Sequence, residues 1–295
     1  MNKAKIQSDM TIRQIGKIGL WVVPVGGYLF LWIPIIVLIV FSFNDSESVS
    51  VWQGFTTRWY VNIFSNAISA GTESARFSTE LMLNAVKNTL IVSISATIVS
   101  TVIGTMVSLS LARGNYPGKK LLDSLLYLPV VIPEITQGIS LAVFFKILFD
   151  FINDRTGVQG TTGFGTIIIA HAVFNISYVA IVVRARLADM NPRLEEAARD
   201  LGANEWKTFW RVTWPLILPG VVAGALLAFT LSLDDFVATF FTSGVGTTTL
   251  PVFVYGMIKQ RIPPEINALS TLMLLASTIL VAISLGIQGR NNARG

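Results

Sequence analysis

Four acidic residues lie in or beside strongly apolar stretches of this sequence, where a carboxylate is costly to place. They are Glu134, Asp234, Asp235 and Glu265. A carboxylate at the centre of a membrane helix costs about 2.5 to 3.5 kcal/mol, so it usually has a partner or a purpose. An acidic mouth attracts cations, and the aromatic residues Phe144, Phe236 and Tyr255 can add cation–π contacts. We therefore expect the four acids to line a path for a cationic solute.

A structural role is the alternative for the adjacent residues Asp234 and Asp235. Their carboxylates can instead form ion pairs with Lys146, Lys259 or Arg261, or lie at the membrane interface where a helix ends. The residue types alone leave both interpretations open.

Other chemistries find little support in the composition. The chain has one histidine, His171, and no cysteine. We therefore expect no metal site and no disulfide, and we assign His171 a hydrogen-bonded packing role. The sequence contains no G-x-x-x-x-G-K-[ST] phosphate loop, so we expect no cofactor in this chain. A membrane enzyme would have to work with carboxylates alone.

Membrane helices are the elements that must position these residues. The chain is 52% hydrophobic and 13% charged over 295 residues, which is typical of an integral membrane protein. A helix needs about 20 apolar residues to cross the hydrocarbon. The stretches that reach this length are residues 18–44, 88–112, 125–149, 156–183, 212–233 and 266–289, of which the third is apolar except for Glu134 and Lys146 and the others carry no charge. Because such unbroken apolar runs exclude a barrel, we predict an all-α membrane protein with six transmembrane helices.

Basic residues predict the orientation of these helices, because Lys and Arg are retained on the cytoplasmic side. Most of the 22 basic residues lie in the two tails, around residues 113–120, and within residues 184–211. Both termini are therefore predicted to be cytoplasmic. At about 1.5 Å per residue from the cytoplasmic ends, Glu134 and Asp234 then fall in the middle to outer half of the membrane. The net charge of +5 follows from this topology, so we expect no nucleic-acid partner.

The chain divides into two parts by composition. Residues 1–83 hold the N-terminal tail, the first helix and a polar outer segment, while residues 84–288 form one module of five helices. Pro129 and Pro133 are predicted to distort the third helix, because proline removes a helix hydrogen bond.

Residues 191–215, here called the charged segment, separate two long apolar stretches and predict two short helices. Asn191 can cap a helix that begins at Pro192, and Gly202 suits the left-handed position that ends it. This helix has a small apolar stripe with i, i+3, i+4, i+7 spacing. The stripe is Leu194, Ala197, Ala198 and Leu201, and the other face carries Glu195, Glu196, Arg199 and Asp200.

Asn204 can cap a second short helix, which carries Trp206, Phe209 and Trp210 and which we expect Pro215 to end. Two interpretations of this helix pair are equally supported by the physics. Small residues on one face let another protein approach closely, as a docking element requires. Alternatively, the tryptophans anchor the pair among lipid headgroups.

The order of residues within the charged segment is specific. Glu196-Ala197-Ala198 is followed after three residues by Gly202, and after nine more by Val212-Thr213-Trp214-Pro215. This spacing resembles the cytoplasmic EAA signature of ABC importer permeases, whose last part is I-x-L-P; Val212 and Trp214 depart from it. The resemblance implies a type I permease fold and a docking role for Glu196, Ala197, Ala198, Gly202 and Pro215. It also implies partners: a cytoplasmic ATPase dimer that binds ATP and magnesium, a second permease subunit and a soluble receptor.

Three further strings look like the permeases of putrescine and spermidine importers. They are LAFTLSLDDFVATFFTSGVGTTTLP (residues 227–251), PEINALSTL (264–272) and LPVVIPEITQGISL (128–141). This narrower resemblance implies a polyamine substrate, a polyamine-binding receptor and a place in the lipid of a bacterial inner membrane. A permease for another small solute is the alternative.

A self-sufficient secondary transporter is a further alternative, in which the intramembrane acids would carry ions. Such a protein would transport without ATP and would usually carry an inverted repeat. The sequence has no evident internal repeat, and a secondary transporter has no need of the charged segment.

Overall fold

The computed structural model describes residues 3–46, 51–65, 79–260 and 265–292. Residues 66–78 of the predicted outer segment, and Arg261, lie outside this part of the chain. The helices are α1 (Lys3–Phe41), α2 (Arg58–Phe64), α3 (Thr79–Arg113), α4 (Lys119–Val131), α5 (Glu134–Thr156), α6 (Phe164–Ala188), α7 (Arg193–Asp200), α8 (Glu205–Thr208), a π-helical turn (Phe209–Thr213), α9 (Trp214–Asp234), α10 (Val237–Thr242), α11 (Leu250–Gln260) and α12 (Glu265–Asn292).

Among the described residues, five helical stretches are long and apolar enough to cross a membrane. They are Leu20–Phe41, Glu80–Arg113, Glu134–Thr156, Phe164–Ala188 and Glu205–Asp234. Each overlaps a predicted stretch, so the prediction of an all-helical membrane protein is confirmed. The sixth predicted stretch, residues 266–289, lies in α12, where the described apolar part, Glu265–Ile279, is shorter than a span.

The third predicted span, residues 125–149, is wrong as one continuous helix. α4 ends at Val131 and α5 begins at Glu134, and Ile132 between them is extended with ψ 132°. The residue before a proline is pushed out of the helical region, and Pro133 has this effect here. Of the two halves, only α5 has the length of a span.

A side-chain amide closes the gap between α4 and α5. Gln137 Nε2 donates to the carbonyl oxygens of Pro129, at 2.6 Å, and of Ile132, at 2.8 Å. These bonds give partners to carbonyls that the break removes from the helical ladder. Glu134 therefore opens a helix instead of lying inside one, and the depth expected for it from a continuous helix does not apply.

Contacts divide the chain into two compact units, of which the first comprises Met1–Glu73 and Arg261–Leu275. Asn44, buried just after α1, organises the residues that follow. Its Nδ2 donates to Val51 O at 2.7 Å, and its Oδ1 accepts from Gln53 N–H at 2.8 Å. Trp59 Nε1 donates to the Asn44 carbonyl at 2.7 Å. The described start of the outer segment is thus fixed to the end of α1.

The second unit comprises Ser74–Gln260 and Ala276–Gly295, and its core is formed by α3, α6 and α9. α3 and α9 approach α6 closely at two glycines. A Cβ added to Gly104 would lie 2.9 Å from an atom of Val179 on α6, and a Cβ added to Gly224 would lie 3.3 Å from one. Ser108 Oγ also donates to Ala180 O at 2.8 Å. Close approach through small residues and interhelical hydrogen bonds is how helices associate in lipid. This core holds the helix ends that carry the candidate site.

Candidate functional site

A cavity of about 280 Å³ lies where the start of α5, the end of α9 and the start of α10 meet α6. Three of the four predicted acids line it. Glu134 opens α5, Asp234 is the last residue of α9, and Asp235 lies in the turn before α10. Interrupted helices are tolerated in membranes where the irregular backbone lines a cavity. The two helix breaks thus bring three carboxylates from distant parts of the sequence to one place.

Asp235 is held by the protein around it. Its carboxylate accepts from the N–H groups of Ala238, at 3.3 Å, and Thr239, at 2.9 Å, and from Thr239 Oγ1 at 3.1 Å. His171 Nε2 lies 3.2 Å from the same carboxylate and 2.9 Å from Thr239 Oγ1. Accepting from the first amides of a helix is the role of an N-terminal cap. Asp235 therefore joins α10 to α6, and His171 has the hydrogen-bonded packing role that we expected.

Glu134 and Asp234 have free carboxylates. Both residues are exposed, and within the described chain neither side chain forms an ion pair or a hydrogen bond with another residue. The alternative partner Lys146 is engaged elsewhere, because its Nζ pairs with Asp150 at 3.0 Å, one turn along α5. Arg261 is outside the described residues. An unpaired carboxylate beside a cavity can accept a cation from outside the chain.

Glu265 is absent from the described lining of this cavity. It opens α12 in the first unit, where it is buried and accepts a hydrogen bond from Asn62 Nδ2 at 3.4 Å. Three of the four predicted acids thus line this cavity and Glu265 does not, while their role in a path for a solute stays a prediction.

Aromatic rings accompany the three acids. Those that line the cavity are Phe174, Tyr178 and Phe236. Phe236 also contacts Tyr255, with ring centroids 4.7 Å apart, as the sequence suggested. Phe144 is not a lining residue and instead contacts Phe145. An ammonium group is attracted both to carboxylates and to ring faces, so the cavity suits an organic cation.

Both asparagines predicted as N-terminal caps accept a hydrogen bond at the start of their helix, but Asn191 lies one residue before the cap position of α7, which is Pro192. Asn191 Oδ1 accepts from Arg193 N–H at 3.1 Å, and Asn204 Oδ1 accepts from Lys207 N–H at 2.9 Å. α7 begins at Arg193, one residue later than the predicted Pro192.

The predicted turn at Gly202 is also present. Gly202 has φ +83°, its N–H donates to Arg199 O at 2.8 Å, and Ala203 N–H donates to Ala198 O at 3.0 Å. This pair of bonds is a Schellman motif, which requires a left-handed residue at the glycine position. The turn therefore fixes how α7 is followed by α8.

The apolar stripe of α7 is turned away from the helix bundle. Leu194 is 47% exposed and Leu201 89% exposed, and Ala197 is exposed as well. The one buried residue of α7 is Glu195, which lies on the charged face opposite the stripe. α7 therefore buries a charged residue and displays its apolar stripe, the reverse of an ordinary amphipathic helix on a protein core.

The second helix of the charged segment does not end before Pro215, and that prediction is wrong. α8 continues through the π-helical turn into α9, so one helical run leads into the membrane span. Trp214 N–H donates to the carbonyl of Phe209, five residues earlier. This wider turn shifts the hydrogen-bond register, so Pro215, which has no N–H, follows without ending the helix.

Tryptophans line one side of this run. Trp206 and Trp210 have ring centroids 5.6 Å apart, and Trp210 and Trp214 5.5 Å apart. Trp206 is 70% exposed. Such rings suit a headgroup region, so contact with membrane lipid is compatible with this geometry.

Residues 100–294 match the family described as "Binding-protein-dependent transport system inner membrane component". The chain belongs to this family. It is a permease component of a bacterial ABC importer, spans the inner membrane several times, and is not itself an enzyme. The predicted membership of the ABC importer permease family is confirmed.

Relatives and solved structures agree with this assignment. Over 265 residues the permease is 37% identical to "Putrescine transport system permease protein PotI" of Escherichia coli (strain K12), covering 90% of this chain and 88% of PotI. Over 257 residues it is 35% identical to "Spermidine/putrescine transport system permease protein PotC" of the same strain, covering 87% and 89%. A chain from a bacterial ABC transporter involved in the import of the acidic polysaccharide alginate matches with TM-score 0.74 at 17% identity, covering 97% of this chain and 99% of that chain. This structural likeness confirms the importer permease fold.

Several residues of the permease that shape these sites were missed in the sequence. Phe174 and Tyr178 are four residues apart on α6 and follow His171, and this helical spacing could have placed them on one face. Gln137 follows Pro133 closely enough to have been recognised as a partner for the broken helix. Glu195 gave no such signal, because the pattern of its own helix placed it with the polar residues.

Proposed function

We propose that this permease is one pore-forming subunit of an ATP-driven importer of polyamines such as putrescine or spermidine. The observation that carries the proposal is the cavity, whose lining combines aromatic rings with two carboxylates that have no partner within the described chain. A linear polyamine is a chain of methylene groups between ammonium groups, and it needs both kinds of contact. Relatives whose names specify putrescine and spermidine transport support the same substrate class.

In this proposal the fold has six transmembrane helices with both termini in the cytoplasm. α12 is the sixth, since its sequence continues apolar to residue 289. Residues 84–288 are the transport module, and residues 1–83 add the tail, the first helix and the outer segment. The distribution of basic residues supports this orientation.

The charged segment is, in this proposal, the docking element for a cytoplasmic ATPase dimer. Glu196, Ala197, Ala198, Gly202 and Pro215 are assigned to coupling. The outward apolar stripe of α7 and the Schellman turn at Gly202 support the assignment, because docking needs an exposed face and a fixed loop shape. ATP and magnesium would bind the ATPase and not this chain, in agreement with the missing phosphate loop.

The remaining partners are a second, related permease that completes the pore and a soluble polyamine receptor. Closure of the ATPase pair on ATP moves the docking elements together and turns the helices outward-facing, so that the receptor delivers its polyamine. Hydrolysis returns the pore to the inward-facing state.

Within the pore, Glu134 and Asp234 are assigned to contact the polyamine directly. Asp235 belongs to the same substrate pathway but acts by holding α10 in place, as its hydrogen bonds indicate. Glu265 is assigned to the pathway on sequence grounds, because it opens the last helix on the predicted outer side.

Uptake in cells tests this function. Labelled putrescine and spermidine are supplied to energised cells that lack the chromosomal copy, with and without this chain restored. We expect uptake only when the chain is restored, and its loss when ATP is depleted. A chain that co-purifies with an ATPase but restores no polyamine uptake would remain a permease and would exclude the polyamine substrate. Uptake that survives ATP depletion would favour a secondary transporter.

A further inference from the structure

Glu195 is a charged residue buried at the base of the charged segment, with 7% of its surface exposed. Its carboxylate forms an ion pair with the guanidinium of Arg113, at the end of α3. It also accepts a hydrogen bond from the hydroxyl of Thr213, the last residue of the π-helical turn. One side chain of α7 thus contacts two elements that continue into membrane helices.

These contacts form the polar connection between α7 and the helix bundle. Most of α7 is exposed, and its main neighbours are α8 and the π-helical turn. A buried carboxylate is stable only when its oxygens are paired, and loss of one partner leaves an uncompensated charge. α7 is therefore expected to keep this attachment when it moves.

The elements that Glu195 joins are those that can carry a displacement onward. α3 packs against α6 and α9 in the core of the second unit. The π-helical turn leads directly into α9, whose last residue, Asp234, lines the cavity. A π-helical turn in an otherwise regular helix is a place where hydrogen-bond register can change.

We propose that Glu195 is a positioning residue that transmits movement of α7 to α3 and to α9 together. This inference rests on the docking role proposed above for the charged segment. Glu195 does not bind the ATPase and does not contact the substrate. It holds the docking helix rigidly enough that work done on α7 reaches the transport helices.

The test is the number of polyamine molecules transported per ATP hydrolysed, measured with the complete transporter reconstituted in lipid vesicles. Glu195→Gln keeps the size of the side chain and removes its charge. We expect this ratio to fall about 10-fold, within the usual range of coupling between sites. ATPase co-purification and the rate of hydrolysis should remain. The matched control is Asp150→Asn, which removes a carboxylate from an exposed ion pair with Lys146 and should leave the ratio unchanged.

Two further variants keep the test decisive if Glu195→Gln fails to accumulate. Thr213→Val keeps the shape of Thr213 and removes its hydroxyl, and we expect a smaller loss of coupling. The double variant Arg113→Met with Glu195→Gln should lose no more transport per ATP than either single variant. The effects of two substitutions in one ion pair do not add, because either of them already removes the pair.

Different results separate this inference from the docking proposal. An unchanged transport ratio in Glu195→Gln, or in Thr213→Val where the first variant does not accumulate, would overturn the inference and leave docking intact. Loss of ATPase co-purification in Glu195→Gln would also overturn it, since Glu195 would then only shape the docking surface. Failure of the unaltered chain to co-purify with an ATPase would instead refute docking itself.

Discussion

Carboxylates to which we assign functional roles lie in two regions of this permease, and their surroundings in the two regions are opposite. In the cavity, Glu134 and Asp234 are exposed and unpaired within the described chain. At the base of the charged segment, Glu195 is buried and contacts both Arg113 and Thr213. A carboxylate that is fully paired by its own protein has no capacity left for a ligand. Under the proposed assignments, the state of pairing, and not the residue type, separates the carboxylates assigned to substrate from those assigned to holding helices.

Asp235 is informative for this comparison, because it lines the cavity but is buried and hydrogen-bonded, as Glu195 is. It is next to Asp234 in sequence, yet its side chain is only 10% exposed and is hydrogen-bonded to α10 and to His171. The two adjacent aspartates therefore have different surroundings, and for this reason we assign them different tasks.

The largest expected effect is that of Asp235→Ala. This change leaves the N–H groups of Ala238 and Thr239 without their acceptor and removes the carboxylate beside His171, whose ring keeps only its contact with Thr239 Oγ1. Each buried unsatisfied group costs about 1 to 3 kcal/mol. We therefore expect membrane abundance and polyamine uptake to fall together, measured by quantitative blotting and by labelled uptake in the same cells.

Asp235→Asn separates a structural role from a charge role at the same position. The amide can still accept a hydrogen bond, so the cap is weakened less than by alanine. If uptake falls in Asp235→Asn while abundance stays normal, the charge of Asp235 serves the substrate and its likeness to Glu195 is refuted.

The next largest effect is expected for Glu134→Gln combined with Asp234→Asn. Neither side chain supports its neighbours through a described hydrogen bond, so abundance should be unchanged. Hydrogen bonds to charged groups contribute roughly 1.5 to 3 kcal/mol, so uptake should fall at least about 10-fold. Initial rates of labelled putrescine uptake measure this loss.

Asp154→Asn is the matched control for that variant. Asp154 is exposed on α5, the helix that Glu134 opens, but does not line the cavity. Equal losses of uptake in the control and in the cavity variant would indicate a general effect of surface charge and would remove the cavity from the pathway.

A smaller effect is expected for Gly202→Asp. An added Cβ would meet no atom within 4 Å, so the change acts through backbone strain at φ +83° and through its charge on the proposed docking surface. A non-glycine residue in this conformation costs about 1 to 2 kcal/mol. We expect transport per ATP to fall about 5-fold, near the lower end of coupling effects.

Gly118 provides the control for Gly202, because it has φ +86° and equally open space around its Cβ position. It precedes α4 and lies outside the charged segment. Gly118→Asp should therefore impose the same kind of strain without loss of coupling. Normal coupling in Gly202→Asp, or equal uncoupling in both variants, would contradict the docking assignment.

Local features of the fold were predictable because their causes are local. The five spans follow from the length of apolar runs, and the caps at Asn191, Asn204 and Gly202 follow from which residues can adopt those geometries. The break at Pro133 was predicted only as a distortion. The full break is stabilised by the side-chain amide of Gln137, which donates to carbonyl oxygens on the other side of Pro133.

The pairing of charges was not predictable, because it depends on which helices become neighbours. Of the partners of Glu195, Arg113 lies far from it in sequence on α3, and Thr213 lies in the π-helical turn at the other end of the charged segment. Asp234 and Asp235 differ by one position in sequence, but only the turn into α10 decides which of them becomes a cap. The sequence grouped these acids with Glu265 as one set, and it could not say which of them share a cavity or which have partners within the chain.

The smallest expected effect concerns a carboxylate that is paired but exposed. Asp150 pairs with Lys146 at 3.0 Å, and their side chains are 64% and 76% exposed. Exposed i,i+4 pairs on a helix are worth only about 0.3 to 0.5 kcal/mol, so Asp150→Asn should leave thermal stability, uptake and coupling nearly unchanged. A thermal shift assay on the purified transporter measures the first of these. A clear destabilisation would mean that pairing alone makes a carboxylate structural in this permease. A negligible shift, beside a large one for Asp235→Ala, would show that pairing matters only where burial removes water as the competing partner.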